Sequence, residues 1–331
     1  MSQYEPAAIP PESNVPPISL TVVVPCLNEA ENIEPAYREI VTELDCYELQ
    51  VLFVDDGSTD GTLELIKALT VRDPRVSYLS LSRNFGLEGA FSAGYRYARH
   101  PWVLHLDADL QFPPAESHRL LSRAAQGFDA VFGLRVDRRD RWIRRAGSAL
   151  NEFLARRLLA IEIPTGATTF RLVRTDLARR IVDLRLGTPY FLATVPRLTN
   201  AWTTVPTAHR PRARGTAKVS VRRLARHAVE LYVSFSERPI RIAGFLCLLA
   251  AAVAVVGAAT GGTAGATLQR LALAGGLVAL AAIARYLLHI GRGQPGLPLF
   301  LVREANVPVR AEDWLGPVQY REDQVLSEPA R

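Results

Sequence analysis

Between Leu20 and Asp107 four short β-rich runs alternate with segments patterned for helices, and this alternation restricts the fold more than any other feature of the chain. The strand candidates are Leu20 to Pro25, Leu49 to Asp55, Val76 to Leu81 and Trp102 to Asp107. Between them, Glu31 to Glu43, Gly61 to Thr70 and Gly86 to Ala98 are each long enough for a helix. Strand, helix, strand at this spacing predicts βαβ units and a mostly parallel, Rossmann-like α/β sheet covered by helices. Ligands of such sheets bind beyond the carboxyl ends of the strands, where the polar motifs of this chain fall.

The last third of the 331 residues has a different character. Ile242 to Thr260 contains no charged residue, and Leu271 to Ala284 is a second apolar run that continues past Arg285 to Ile290. Each can span about 30 Å of hydrocarbon. Arg238 and Arg241 precede the first run, Arg292 and Arg303 follow the second, and Gly261 to Gln269 is uncharged. The positive-inside rule then places both termini in the cytoplasm, making a multi-pass protein of the inner (cytoplasmic) membrane. At the other end, the prolines and acids of residues 1–19 exclude an apolar signal-peptide core and predict a mobile tail. Cys26, Cys46 and Cys247 show no metal-ligand spacing, so reduced thiols and no zinc are expected.

The formal charge of +6 is carried mainly by arginine in two clusters before the apolar runs. One spans Arg135 to Arg145 with six arginines, and the other spans Arg210 to Arg226 with seven Lys and Arg and no acid. Arginine binds phosphate bidentately, and a basic cluster beside a membrane anchor suits a lipid phosphate headgroup. Nucleic acid is not the expected partner, because the basic runs lack a pattern of interleaved aromatics and a nucleic-acid binder has no need of an acidic metal site.

The first strand ends in Pro25-Cys-Leu-Asn-Glu-Ala-Glu-Asn32 and the second in Asp55-Asp-Gly-Ser-Thr-Asp-Gly-Thr62. Carboxylates at such turns can accept hydrogen bonds from a base or a ribose, and they also serve as ordinary turns and helix caps. After the fourth strand comes Asp107-Ala-Asp-Leu-Gln111. Alternation along an extended strand end would point Asp107, Asp109 and Gln111 to one side, giving three oxygen donors for a hard divalent cation that also bridges a diphosphate. There is no P-loop and no Gly-x-Gly-x-x-Gly after the first strand.

Together with Ser82-Arg-Asn-Phe-Gly86, these motifs resemble family 2 glycosyltransferases of the GT-A fold over roughly Leu20 to Val309. Within that family the chain is similar to the dolichol-phosphate mannose synthase and polyprenyl-phosphate glycosyltransferase branch, above all to bacterial undecaprenyl-phosphate 4-deoxy-4-formamido-arabinose transferases. The resemblance implies an inverting, metal-dependent transfer from a nucleotide-sugar, with a UDP-sugar favoured, to polyprenyl phosphate. It implies that Pro25, Asn28, Glu29, Asp56 and Asp107 contact the nucleotide, and that Asp109 and Gln111, with Asp107, ligate Mg²⁺ or Mn²⁺. It also implies that Arg135, Arg144, Ser148, Arg212 and Lys218 clamp the acceptor phosphate, so that Asp107, Asp109 and Arg135 carry the catalysis. Relatives with paired membrane helices assemble as homo-oligomers, tetramers among them.

The organisation expected is a tail over 1–19, a catalytic domain over 20–218, basic juxtamembrane amphipathic helices over 219–238, two transmembrane helices over 239–292 and a cytoplasmic tail over 293–331. Pro164 to Arg171 keeps the Phe-Arg of the family but lacks the acid that relatives carry there, and Gly215-Thr-Ala-Lys218 replaces Gly-x-Ser-Lys. The missing acid motivates one rival reading, a noncatalytic membrane scaffold that kept a nucleotide-sugar fold. A processive polysaccharide synthase is the other rival, but Arg138-Arg-Asp-Arg-Trp142 has Arg where its Gln-x-x-Arg-Trp signature needs Gln, and two spans are too few for a polymer channel.

Overall fold

In the computed structural model, residues 18–135, 164, 166–184, 190–210, 231–293 and 298–315 are described. The strands are β1 (Ser19–Cys26), β2 (Glu48–Asp55), β3 (Val76–Leu81), β4 (Trp102–His105), β5 (Ala130–Arg135), β6 (Ala167–Arg174), β7 (Trp202–Thr207) and β8 (Val302–Ala305). The helices are α1 (Ala30–Leu44), α2 (Thr62–Arg72), α3 (Leu87–Tyr97), α4 (Ser117–Ala124), α5 (Thr175–Asp183), α6 (Phe191–Leu198), α7 (Arg238–Thr260) and α8 (Gly262–Gly293).

The strands form one eight-stranded sheet in the order β7-β5-β6-β4-β1-β2-β3-β8. The sheet is mixed. The β1–β2, β1–β4, β2–β3 and β5–β7 pairs are parallel, whereas β6 runs antiparallel to both β4 and β5, and β8 antiparallel to β3. Six strands therefore end at one edge of the sheet, and β6 begins there.

The central strands are buried on both faces, which is why β1 and β2 read as continuous apolar runs. Val22, Val24, Val51 and Phe53 pack with Ile33, Ile40 and Leu44 of α1 on one side. The intervening Val23, Leu52 and Val54 pack with Phe91 and Tyr95 of α3 on the other, the two-residue period of a strand. A Cβ on Gly94 would lie 2.3 Å from Val23 Cγ1, so this glycine sets how closely α3 approaches β1.

Two expected boundaries change. β1 begins at Ser19, inside the expected tail. More substantially, the segment after the apolar hairpin, expected as a tail, returns to the sheet. β8 pairs with the β3 edge, Phe300 is buried, and Tyr78 donates its backbone N–H to Asn306 Oδ1 at 2.7 Å. Glu304 takes Lys67 Nζ at 2.8 Å and the Tyr78 hydroxyl at 2.8 Å, and Tyr97 donates to Asp313 Oδ2 at 2.7 Å. An open β3 edge offers unpaired backbone groups, and β8 covers it.

Arg238–Thr260 and Gly262–Leu288 are each long and apolar enough to cross a membrane. Leu248 is 73% and Val255 70% exposed, a surface suited to lipid rather than water. The two helices meet closely at Gly257 and Gly265, where a Cβ on Gly265 would lie 2.3 Å from the Gly257 carbonyl oxygen. At 1.5 Å per residue α8 is about 48 Å long, more than the hydrocarbon thickness requires. The hairpin follows strands β1 to β7 in the chain and is itself followed by β8 of that same sheet.

Gly94→Ala is expected to lower stability by about 1–3 kcal/mol through overpacking against Val23. Adding Val23→Ala should recover part of that loss, and thermal unfolding of the two single variants and the double variant in detergent checks the coupling.

Candidate active site

The edge where six strands end carries three interlocked loops. After β1, Asn28 takes φ +54°, a conformation that Asn tolerates better than most residues. Its backbone N–H donates to Ser58 Oγ at 2.9 Å, and its Oδ1 accepts the Thr59 N–H at 2.8 Å. The Glu29 N–H donates to Thr62 Oγ1 at 3.0 Å, while Glu29 Oε2 accepts from Asn32 Nδ2 at 2.5 Å. The β1 and β2 loops are thus laced together by backbone N–H groups donating to side-chain oxygens, with Pro25 paired to Val54 beneath them.

Asp55 and Asp56 divide their work. Asp55 Oδ1 accepts the Ser58 N–H at 3.1 Å and Oδ2 the Ser80 hydroxyl at 3.0 Å, closing the turn. Asp56, expected to meet a nucleotide, accepts the N–H groups of Phe85 and Gly86 at 2.7 and 2.9 Å and so anchors the loop before α3. Burial pushes its carboxyl up to about 6, against those two hydrogen bonds. Between these loops Gly57 has φ +75°, and a Cβ there would lie 2.8 Å from the Arg83 carbonyl carbon.

The third loop corrects an expectation. β4 stops at His105 and does not continue extended through Asp107, so strand alternation does not align Asp107, Asp109 and Gln111. Leu110 takes φ +50° and donates its N–H to the Asp107 carbonyl at 3.1 Å, and Asp109 Oδ1 accepts the Gln111 N–H at 3.2 Å. The segment is a turn that holds Asp107 and Asp109 half-buried at the strand end. The Gln111 carbonyl accepts the Arg210 N–H at 2.7 Å, tying the loop after β7 to this turn.

Asp107 is fixed at both oxygens. His105 Nε2 lies 3.1 Å from Oδ1, and the Thr169 hydroxyl donates to Oδ2 at 3.1 Å. A carboxylate only accepts, so His105 carries its proton on Nε2. Burial holds the His105 imidazole down to about 4, and it is neutral at pH 7. Burial alone would raise the Asp107 carboxyl, but His105, Thr169 and the charge of Arg171 outweigh it and hold it below the usual carboxylate range. The β4–β6 register explains the geometry: His105 pairs with Arg171, and the same register carried two residues further sets Asp107 against Thr169. Sequence reasoning passed over His105, and it noted Thr169 and Arg171 only as part of the segment that keeps Phe-Arg and lacks an acid, with no part in holding Asp107. Their signal is the i ± 2 spacing from Asp107 along β4 and from Thr169 along β6.

Arg135 ends β5 at this same edge, half-buried, and its Nε has no hydrogen-bond partner. Arg144, Ser148, Arg212 and Lys218 lie outside the described residues. No cluster of three His, Cys, Asp or Glu side chains stands ready for a metal among the described residues. Two carboxylates and the Gln111 amide are an oxygen set that fits a hard cation drawing its remaining ligands from a bound diphosphate.

A family model described as glycosyl transferase family 2 matches residues 21–182. The undecaprenyl-phosphate 4-deoxy-4-formamido-L-arabinose transferase of Pseudomonas aeruginosa (strain LESB58) is 34% identical over 251 residues, covering 73% of this chain and 71% of that one. The chain belongs to glycosyl transferase family 2. This glycosyltransferase is also similar to the enzyme of the same name from Salmonella choleraesuis (strain SC-B67), 31% identical over 245 residues, 72% of this chain and 73% of that one. CsbB of Bacillus subtilis (strain 168) is 26% identical over 310 residues, 87% of this chain and 92% of that one. Among solved structures, glucosyl-3-phosphoglycerate synthase from Mycobacterium tuberculosis matches with a TM-score of 0.48 and 18% identity, covering 66% of this chain and 78% of that one.

The buried Asp56 gives the glycosyltransferase a pH signature. A carboxyl raised in the folded state stabilises the fold fully below its unfolded value of about 4 and loses that contribution as the pH rises through about 6. Wild-type stability should therefore fall between pH 4 and 6, and Asp56→Asn should flatten that slope in denaturation curves taken across the range.

Proposed function

We propose that this glycosyltransferase moves a sugar from a nucleotide-sugar, a UDP-sugar, to polyprenyl phosphate of the undecaprenyl or decaprenyl type. The product is a polyprenyl-monophosphate sugar with inverted anomeric configuration. The observation that carries the reading is an acidic turn, Asp107 to Gln111, at the ligand-binding edge of a sheet whose chain continues into an apolar hairpin. The undecaprenyl phosphate in the names of its relatives supports the choice of acceptor.

Pro25, Asn28 and Glu29, with Asp56 behind them, form the nucleotide side of the site, and Asp107 faces the diphosphate. Asp107, Asp109 and Gln111 would hold Mg²⁺ or Mn²⁺, which when bound neutralises charge on a leaving diphosphate. Arg135, with its unpartnered Nε, takes the acceptor phosphate, and Arg144, Ser148, Arg212 and Lys218 join it from segments that precede the hairpin in sequence. A phosphate oxygen of the lipid attacks the anomeric carbon, the bond from that carbon to the diphosphate oxygen breaks, and the nucleoside diphosphate departs with the bonding pair. A phosphate monoester is already anionic at pH 7, so the nucleophile needs no general base. The contribution of the chain is positioning and charge placement. The basic clusters set the catalytic domain and both termini on the cytoplasmic face of the membrane.

The test is transfer of labelled sugar into lipid extract by purified protein with polyprenyl phosphate, a divalent cation and a panel of nucleotide-sugars. Asp109→Ala is expected to reduce the rate by about a hundredfold or more without lowering the unfolding temperature. Normal transfer by a folded Asp109→Ala variant would remove Asp109 from the site. Nucleotide binding without transfer to any lipid would support the noncatalytic scaffold.

A further inference from the structure

Two buried side-chain atoms without hydrogen-bond partners, one on an acid and one on a guanidinium, belong to residues close in sequence to the groups that hold Asp56 and Asp107. They are Glu88 Oε2 and Arg171 Nη2. Each residue lies two positions along the chain from such a group: Glu88 follows Gly86, whose N–H binds Asp56, and Arg171 follows Thr169, whose hydroxyl binds Asp107. His105 bears the same relation to Asp107. Along β6 this spacing keeps Arg171 under Thr169, and His105 ends β4 just before the turn that carries Asp107.

Arg171 is 1% exposed and is held by aromatics rather than by an acid. Its guanidinium lies 4.6 Å from the Phe91 ring centroid and 4.9 Å from that of Phe191, and its Nε donates to the Tyr95 hydroxyl at 2.8 Å. Glu88, Phe91 and Tyr95 occupy one face of α3 at helical spacing. Helical side chains lean toward the N-terminus, and α3 begins at the strand-end edge. Glu88 is thus the top residue of the face that grips Arg171, in the first turn of α3 and nearest the strand-end edge. It is half-buried; burial pushes its carboxyl up and the charge of Arg171 opposes that shift, but no hydrogen bond satisfies Oε2. Buried polar atoms are almost always satisfied, and an orphaned carboxylate oxygen beside a ligand edge calls for a donor from outside the chain. A diphosphate is excluded by like charge. β6 contributes hydroxyls here rather than an acid, and Thr168 already donates to the Gly133 carbonyl.

We infer that Glu88 forms the floor of the donor site and accepts hydrogen bonds from hydroxyl groups of the sugar carried by the nucleotide, making it a residue that determines donor specificity. Arg171, locked by Phe91, Tyr95 and Phe191, lies behind it as a fixed positive charge. The inference rests on the nucleotide-sugar reading of the site and does not depend on the acceptor.

The experiment measures dissociation constants of UDP, UDP-glucose, UDP-galactose, UDP-N-acetylglucosamine and UDP-xylose for the full chain in detergent, with Glu88→Gln and Glu88→Ala beside the wild type. Both variants should bind UDP within about twofold of wild type. The sugar that wild type prefers should lose about tenfold or more, and the order among the four sugars should flatten, as expected when a hydroxyl loses a charged acceptor. An unchanged ratio of UDP-sugar to UDP affinity in Glu88→Gln would overturn the inference, and so would a wild type for which no sugar adds to the affinity of UDP. A parallel loss of UDP binding and unfolding temperature in both variants would also overturn it, marking Glu88 as structural. Selective donor binding by a wild type that transfers nothing to polyprenyl phosphate would instead count against the acceptor assignment and leave Glu88 in place.

Discussion

The carboxylate of Asp107, held at one oxygen by neutral His105 and at the other by Thr169, is the contact on which the rest of the site depends. It requires β6 to run against β4. A parallel neighbour would reach this edge with its own carboxyl end, whereas the antiparallel β6 begins here and brings Thr169 level with Asp107 and Arg171 level with His105. The reversal places a hydroxyl at the rim and a buried guanidinium beneath it. Burial would favour a protonated Asp107, and these neighbours keep it ionised, the state that a cation or an oriented diphosphate site needs.

A second constraint is the closeness of the packing beneath the edge. Gly94 lets α3 settle on Val23, and Gly57 lets the β2 loop pass under the Arg83 backbone. Asp56 then fixes the start of α3 through two backbone N–H groups. The three loops are held by backbone N–H groups donating to short side chains, Asn28, Ser58, Thr62 and Asp56, so the edge is shaped before a ligand arrives, the condition under which positioning contributes most to rate. β8 extends this order to the far side of the sheet, where Glu304, Asn306 and Asp313 tie the chain beyond the hairpin to β3 and α3.

Much of this was legible in the sequence, and the parts that were not share a cause. β1 to β4 and α1 to α3 follow from local apolar pattern and turn residues, and they fall close to where that pattern puts them, except that β4 ends two residues early at His105. Asp107 and Asp109 were identifiable by type and place, but their geometry was not, because the left-handed Leu110 converts a strand end into a turn. His105, Thr169 and Arg171 become meaningful only when the register between β4 and β6 is known, and register is a property of two strands separated by some 60 residues of chain. β8 is four residues long and follows the apolar hairpin, and its partner β3 lies more than 200 residues earlier. Asp56 was identifiable as an acid of the β2 turn, but not its second task of anchoring the loop before α3. Only the fold shows its oxygens meeting Phe85 and Gly86.

The central claim is that the nucleotide binds at the edge built around Asp107, across the loops that follow β1, β2, β3 and β4. Hydrogen exchange of the full chain with and without UDP and Mn²⁺ tests it most directly. The account predicts slowed exchange in residues 26–32, 56–62, 82–88 and 106–111, with little change at 98–101 on the opposite edge of the sheet. Protection confined to the opposite edge or to the hairpin, with those four loops unaffected, would contradict it.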